Sequence, residues 1–121
     1  MKYLCMAYGD RQKMEALSKA EFEALVARCR VHDEELRKSG QLVLVESLEW
    51  GTTTLRPRNG KVVVTDGPFA ETKEQVGGLF IIEARDLNDA IRVASLHPAA
   101  HLGEQLGWGI EVRPITDVCH Q

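Results

Sequence analysis

Nothing in these 121 residues is long and apolar enough to cross a bilayer. The longest apolar run near the N-terminus, Tyr3 to Tyr8, falls well short of the ~20 residues a span requires. Gly9-Asp10-Arg11 follows it without a small-residue cleavage site. Neither a membrane partner nor an export segment is expected. Basic stretches are lacking too: 15 Lys plus Arg face 18 Asp plus Glu, for a net charge of -3. No row of phosphates could be neutralised by such a chain, so nucleic acid is not an expected partner. Cysteine is scarce, and Cys5, Cys29 and Cys119 are odd in number and far apart. That spacing builds neither the disulfide framework of a secreted miniprotein nor a C-x-x-C zinc site, and a reducing, cytoplasmic location is expected. Cys5 and Cys29 read as small buried hydrophobes, while Cys119-His120 offers too few ligands for a specific metal site. The G-x-G-x-x-G, Walker, H-E-x-x-H and G-x-S-x-G patterns are all missing. Dinucleotide, nucleotide-phosphate, zinc-protease and esterase chemistry lose their usual carriers, and no cofactor or metal is expected.

What is present is an ordinary globular composition, 44% hydrophobic and 27% charged, in a length that suits one domain over 1–121. KYLCMAY (Lys2 to Tyr8) is too short for an independent helix and stops at Gly9-Asp10, which makes it a buried strand. Ser18-Lys19-Ala20-Glu21 has the S-x-x-E form of a capping box. Phe22, Leu25, Val26, Cys29 and Leu36 then share one helical face up to Ser39-Gly40, predicting a helix over about 19–38. QLVLVESLE (41–49) and the β-branched stretch 52–56 before Pro57 read as strands. Asn59-Gly60 is a favoured hairpin turn into KVVVT (61–65). A polar loop over 66–75 precedes the strand GLFIIEA (78–84). Asp86 caps a second helix that Pro98 ends, and WGIEVRPI (108–115) is the last strand.

The order is β-α-β-β-α-β with an accessory hairpin, an α+β chain of the ferredoxin-like, split βαβ type with both helices on one face of an antiparallel sheet. KYLCMAY, QLVLV and GLFII are apolar toward both faces. The uncovered face predicts a homodimer, barrel-like if two sheets close face to face.

The polar loop DGPFAETKE (66–74) is the most unusual local sequence, and loops of this kind often carry function. Asp66 and Glu71 are candidate carboxylates, Asp66 foremost as a general base. Phe69, read also as a plug for the end of the core, and Lys73 are candidate substrate contacts, joined by Tyr8 at the end of the first strand. His97 stands at the end of the second helix, where the dipole would raise its pKa, and is the candidate acid or orienting group. His101, four residues on, could share its face. In the first helix, Asp33 falls near the axis of the apolar face beside His32, so either residue could enter a pocket or form a buried polar pair.

The run VTDGPFAETKEQVGGLFIIEA (64–84), with RDLNDA (85–90), His97-Pro98-Ala99 and GIEVRPI (109–115), resembles the DGPF-motif branch of the YCII-related family. The resemblance extends to the opening MKYLCMAYGD and the segment Glu34 to Gly40, and so covers essentially the whole chain. It implies a ferredoxin-like fold, a dimeric α/β barrel, and a cleft holding a histidine and an aspartate as an acid/base pair. On matching positions these are His97 and Asp66, whereas His32 stands where relatives usually carry an aromatic residue and inherits no role. Muconolactone isomerase-like and dehalogenating enzymes share the architecture, and DGPF proteins are often associated with extracytoplasmic-function sigma factors. The resemblance therefore implies a small-molecule acid/base enzyme, isomerase- or lyase-like, with a ligand-binding or regulatory module of sigma-factor-dependent transcription as the alternative.

Overall fold

The computed structural model describes residues 1–118, and Cys119-His120 lies outside the described residues. Strand β1 (Lys2–Asp10) is followed by a short helix α1 (Arg11–Glu15) and the long helix α2 (Lys19–Lys38). After these come β2 (Leu42–Ser47), β3 (Thr53–Arg58), β4 (Lys61–Asp66) and β5 (Glu74–Glu83). Helix α3 (Leu87–Ala94), two 3-10 turns (Pro98–Ala100 and Glu104–Leu106) and β6 (Gly109–Pro114) complete the chain. Four strands form one antiparallel sheet in the order β2-β5-β1-β6, and β3 and β4 form a separate two-stranded ribbon. With the ribbon set aside, this is the ferredoxin-like split βαβ order.

Local chemistry sets most element boundaries. The Ser18 hydroxyl accepts the Glu21 amide at 3.1 Å, and the Glu21 carboxylate accepts the Ser18 amide at 2.9 Å, closing the capping box at the head of α2. Asn59 and Gly60 turn the ribbon with φ of 51° and 76°, left-handed values that these two residue types tolerate best. Asp86 caps α3 by accepting the Asp89 amide at 2.9 Å. Asp89 is itself buried, and the Arg85 amide and Arg92 guanidinium hold its carboxyl down to about 2.

Three boundaries depart from expectation. Helix α1 forms in the stretch between the first strand and Ser18, where no element was expected, because Asp10 ends β1 and at once caps the next turn by accepting the Lys13 amide. Pro57 does not stop β3 and pairs with Val62, since a two-stranded ribbon has free edges toward which a missing N–H can face. Strand β5 begins at Glu74 rather than Gly78.

The core lies between the sheet and one helical layer. Tyr3 and Cys5 of β1 and Phe80 and Ile82 of β5 meet Leu36 of α2 and Ala90, Val93 and Ala94 of α3. Each large apolar side chain buried here contributes about 1.5–3 kcal/mol. Burial also pushes the Cys5 thiol up to about 11, as expected of a packing cysteine. Leu4, Met6, Leu79 and Ile81 alternate onto the opposite sheet face. Helix α2 docks differently from the apolar face read in its sequence. Leu36 is 1% exposed, while Phe22 is 48% exposed and Val26 and Cys29 are only half-buried. The rest of that stripe stands off the sheet and walls a cavity.

Candidate active site

The cavity measures about 530 Å³, within the usual range for small-molecule sites. Phe22, Val26, Cys29, Asp33 and Arg37 line it from α2 at spacings of four, three, four and four, one continuous helical stripe. Gly77, Gly78 and Leu79 of β5 and Ala7, Tyr8 and Gly9 of β1 form the floor. Trp50, between β2 and β3, and Trp108, just before β6, close the sides.

Floor geometry depends on a β-bulge. Ala7 pairs with Gly78 and Tyr8 with Val76, leaving Gly77 as the extra residue of β5. A Cβ on Gly77 would stand 2.9 Å from Trp50 Cη2, and one on Gly9 would stand 3.2 Å from Trp108 Cδ1 and 3.5 Å from Trp50 Cη2. Both indoles therefore rest on positions that only glycine leaves open. The Trp108 indole N–H donates to Met14 Sδ at 3.2 Å, so α1 braces that wall.

His97 lies half-buried at the inner end. Its ring stacks on Phe80 with centroids 4.5 Å apart and planes within 3°. Its Nδ1 accepts the Ala99 amide at 3.0 Å, capping the 3-10 turn that follows α3. That bond assigns the proton of the neutral ring to Nε2. The expected rise in pKa is corrected: His97 lies beyond the last turn of α3, and burial, reinforced by neighbouring His32, pushes its pKa down to about 4. Burial moves Asp33 the other way, raising its pKa against the partial opposition of Arg37 and His32. Cys29 is also raised, chiefly by burial and then by Asp33, and remains a thiol rather than a nucleophile. His32 stacks on His101 with centroids 4.9 Å apart, and His101 Nε2 bonds to the Ser95 carbonyl oxygen. No cluster of three or more His, Cys, Asp or Glu suited to a metal occurs among the described residues.

The residues singled out in the sequence are thus divided. Tyr8 and His97 line the cavity, with the Glu111 carboxylate holding the Tyr8 phenol above its ordinary range. Asp66 ends β4 on the ribbon, outside the four-stranded sheet, and does not line the cavity that holds His97. Phe69 does not plug the core: it is 70% exposed, beneath the Arg56 guanidinium, which sits 4.1 Å from its ring centroid. It lines a shallower adjoining groove that shares Tyr8, while exposed Lys73 lines neither. The carboxylate that shares the cavity with His97 on the α2 side is Asp33, and its position in the 22-26-29-33-37 stripe is the sequence signal for it.

Residues 1–118 match the YCII-related domain. The chain belongs to the YCII-related family. A relative within reach of this YCII-related chain is an uncharacterized protein of Rhizobium meliloti (strain 1021), 35% identical over 118 residues that cover 96% of this chain and 93% of the relative. Among solved structures, the chain is similar to 5-chloro-2-hydroxyhydroquinone dehydrochlorinase from Burkholderia phenoliruptrix AC1100, in complex with 2,5-dihydroxybenzoquinone. That match has a TM-score of 0.49 and 14% identity, and covers 96% of this chain and 94% of the other. Among the described residues, no helix is long and apolar enough to cross a membrane.

Proposed function

We propose that this YCII-related protein is a small-molecule enzyme that moves a proton on its substrate, with Asp33 as the base and His97 as a neutral hydrogen-bond donor. One observation carries the reading: Asp33 and His97 line the same cavity, and burial shifts the two in opposite directions. A carboxylate made more basic can take a carbon-bound proton beside a carbonyl. The released electron pair moves onto the carbonyl oxygen, which accepts a hydrogen bond from His97 Nε2–H. Return of the proton at another carbon gives an isomerase, and expulsion of a leaving group gives a lyase. The outward face of the sheet supports a homodimer as part of the same proposal, since Leu44, Ile81 and Leu4 stand in one cross-strand row that no helix among the described residues covers.

Incubation with enolisable carbonyl compounds in D2O, followed by mass spectrometry, tests the chemistry. The wild-type protein is expected to exchange a carbon-bound proton of one class of compound, and Asp33→Asn to lose ~10²-fold or more of that rate. Asp66→Asn is expected to retain it. Loss in Asp66→Asn with full activity in Asp33→Asn would reverse the assignment, and an absence of exchange across the panel would overturn it.

A further inference from the structure

Four of the seven Phe, Tyr and Trp residues of the chain line one cavity: Tyr8, Phe22, Trp50 and Trp108. Both tryptophans are among them. Aromatics make up only 6% of the sequence, so their convergence on one cavity is a property of the site rather than of the composition. Trp50 stands with its Cη2 tip where a side chain on Gly77 would be, and both Trp50 and Trp108 approach the bare Cα of Gly9. A cavity lined by two indoles suits a flat ring, because indole faces attract another π-system while a puckered ring cannot approach as closely.

The polar groups are distributed unevenly. Among the described residues, Asp33, Glu46 and Arg37 are the charged ones on the lining, which makes Arg37 its one cation there. Arg37 lies one turn beyond Asp33 on α2, where Asp and Arg often pair. Among the described residues, however, it makes no ion pair within 4.0 Å, unlike Arg11, Arg85 and Arg92, whose guanidiniums hold carboxylates. An exposed planar guanidinium on the lining of this cavity, on the same stripe as the base, is suited to a carboxylate through two parallel hydrogen bonds.

We propose that the cavity binds a planar aromatic carboxylate, with the ring against Trp50 and Trp108 and the carboxylate on Arg37. Gly77 is then a specificity-determining position, because it admits the Trp50 wall. The proposal rests on the reading of this cavity as the substrate site, but it concerns recognition and not proton transfer.

Intrinsic fluorescence reports directly on the site, since both tryptophans of the chain line it. Benzoate is the probe, and cyclohexanecarboxylate, of equal charge but puckered, is the comparison. Benzoate is expected to change the emission saturably in the millimolar range or below and to bind at least about tenfold more tightly than cyclohexanecarboxylate, a ratio within the reach of aromatic stacking. Arg37→Gln, a change on the exposed side of α2 that leaves the core intact, is expected to weaken benzoate about tenfold or more. Gly77→Ala displaces Trp50 and is expected to narrow the preference for benzoate, with the thermal midpoint checking that the chain still folds. Equal affinity for the two acids, no saturable response, or unchanged benzoate binding in Arg37→Gln would overturn the proposal. Asp33→Asn separates the two readings: it removes an anion beside Arg37 and is expected to bind benzoate at least as tightly while losing isotope exchange. Binding without exchange in the wild-type protein would sink the acid/base reading alone, and exchange without a preference for the planar acid would sink this one alone.

Discussion

The neutral state of His97 has a measurable cost in acid. An unfolded chain protonates this imidazole at its ordinary value of 6.5, whereas in the folded protein burial and His32 delay protonation to about 4. For a histidine depressed in this way, the unfolded state binds the proton first, so stability is complete above pH 6.5 and declines as the pH falls toward 4. At about 1.4 kcal/mol for each tenfold change in proton affinity, the full loss is about 3 kcal/mol. The assay is urea unfolding of the wild-type protein and His97→Asn at a series of pH values from 7 to 4. Asparagine places its carbonyl oxygen near the position of Nδ1, where it can accept the Ala99 amide, and it does not titrate. Loss of the Phe80 stack lowers the stability of the variant at every pH, so the decisive quantity is the difference in slope. Asp33, whose raised pKa acts with the opposite sign, and the other carboxylates are common to both proteins. The wild-type protein is expected to lose about 3 kcal/mol more than the variant between pH 7 and 4. Parallel curves, with a difference under about 1 kcal/mol, would show that His97 is not held neutral by burial and would remove it as a neutral donor.

Other perturbations are simpler to interpret. Gly103→Ala places a Cβ inside the envelope of the Trp108 ring at a φ of +72° and is expected to destabilise the protein by about 2–4 kcal/mol in denaturant unfolding, with altered tryptophan emission. Ser18→Ala opens the capping box at the head of α2 and is expected to cost about 1 kcal/mol by the same measure. Asp89→Asn is expected to lower the thermal midpoint at neutral pH. The folded Asp89 carboxyl is held down to about 2, so its contribution is present above its ordinary 3.8 and lost as the pH falls through 2, and the gap between variant and wild type should close over that interval.

Features set by neighbours in the chain were the legible ones. Ser18 with Glu21, Asn59-Gly60 and Asp86 act over two to four residues, and their caps and turn appear where the sequence places them. The site depended on convergence instead. Trp50 and Trp108 lie 58 positions apart and both come to Gly9, a convergence no local pattern announces. The DGPF loop drew attention to Asp66 through its unusual residues, yet β3 and β4 leave the main sheet as a ribbon and carry Asp66 with them. For His97 the competing effects had opposite signs, and a helix-end argument could not weigh burial before Phe80 was known to stack on the ring.

Of the four strands of the main sheet, β1 comes earliest in the chain and is one of the two internal ones. Tyr3 of β1 pairs with Ile82 on one side and Pro114 on the other, so neither edge of β1 has a partner until most of the chain exists. Roughly 70 residues separate Tyr8 from Val76, and at about 5–20 residues per second their synthesis takes several seconds. During that interval α2, with its own cap, and the β3–β4 ribbon, with its own turn, can form from local contacts alone. KYLCMAY has no such recourse: its backbone edges and apolar side chains stay open to proteases, chaperones and other nascent chains. Assembly of the floor beneath the cavity, which needs β1 against β5, therefore comes late, and the tryptophan walls can take their positions only after it.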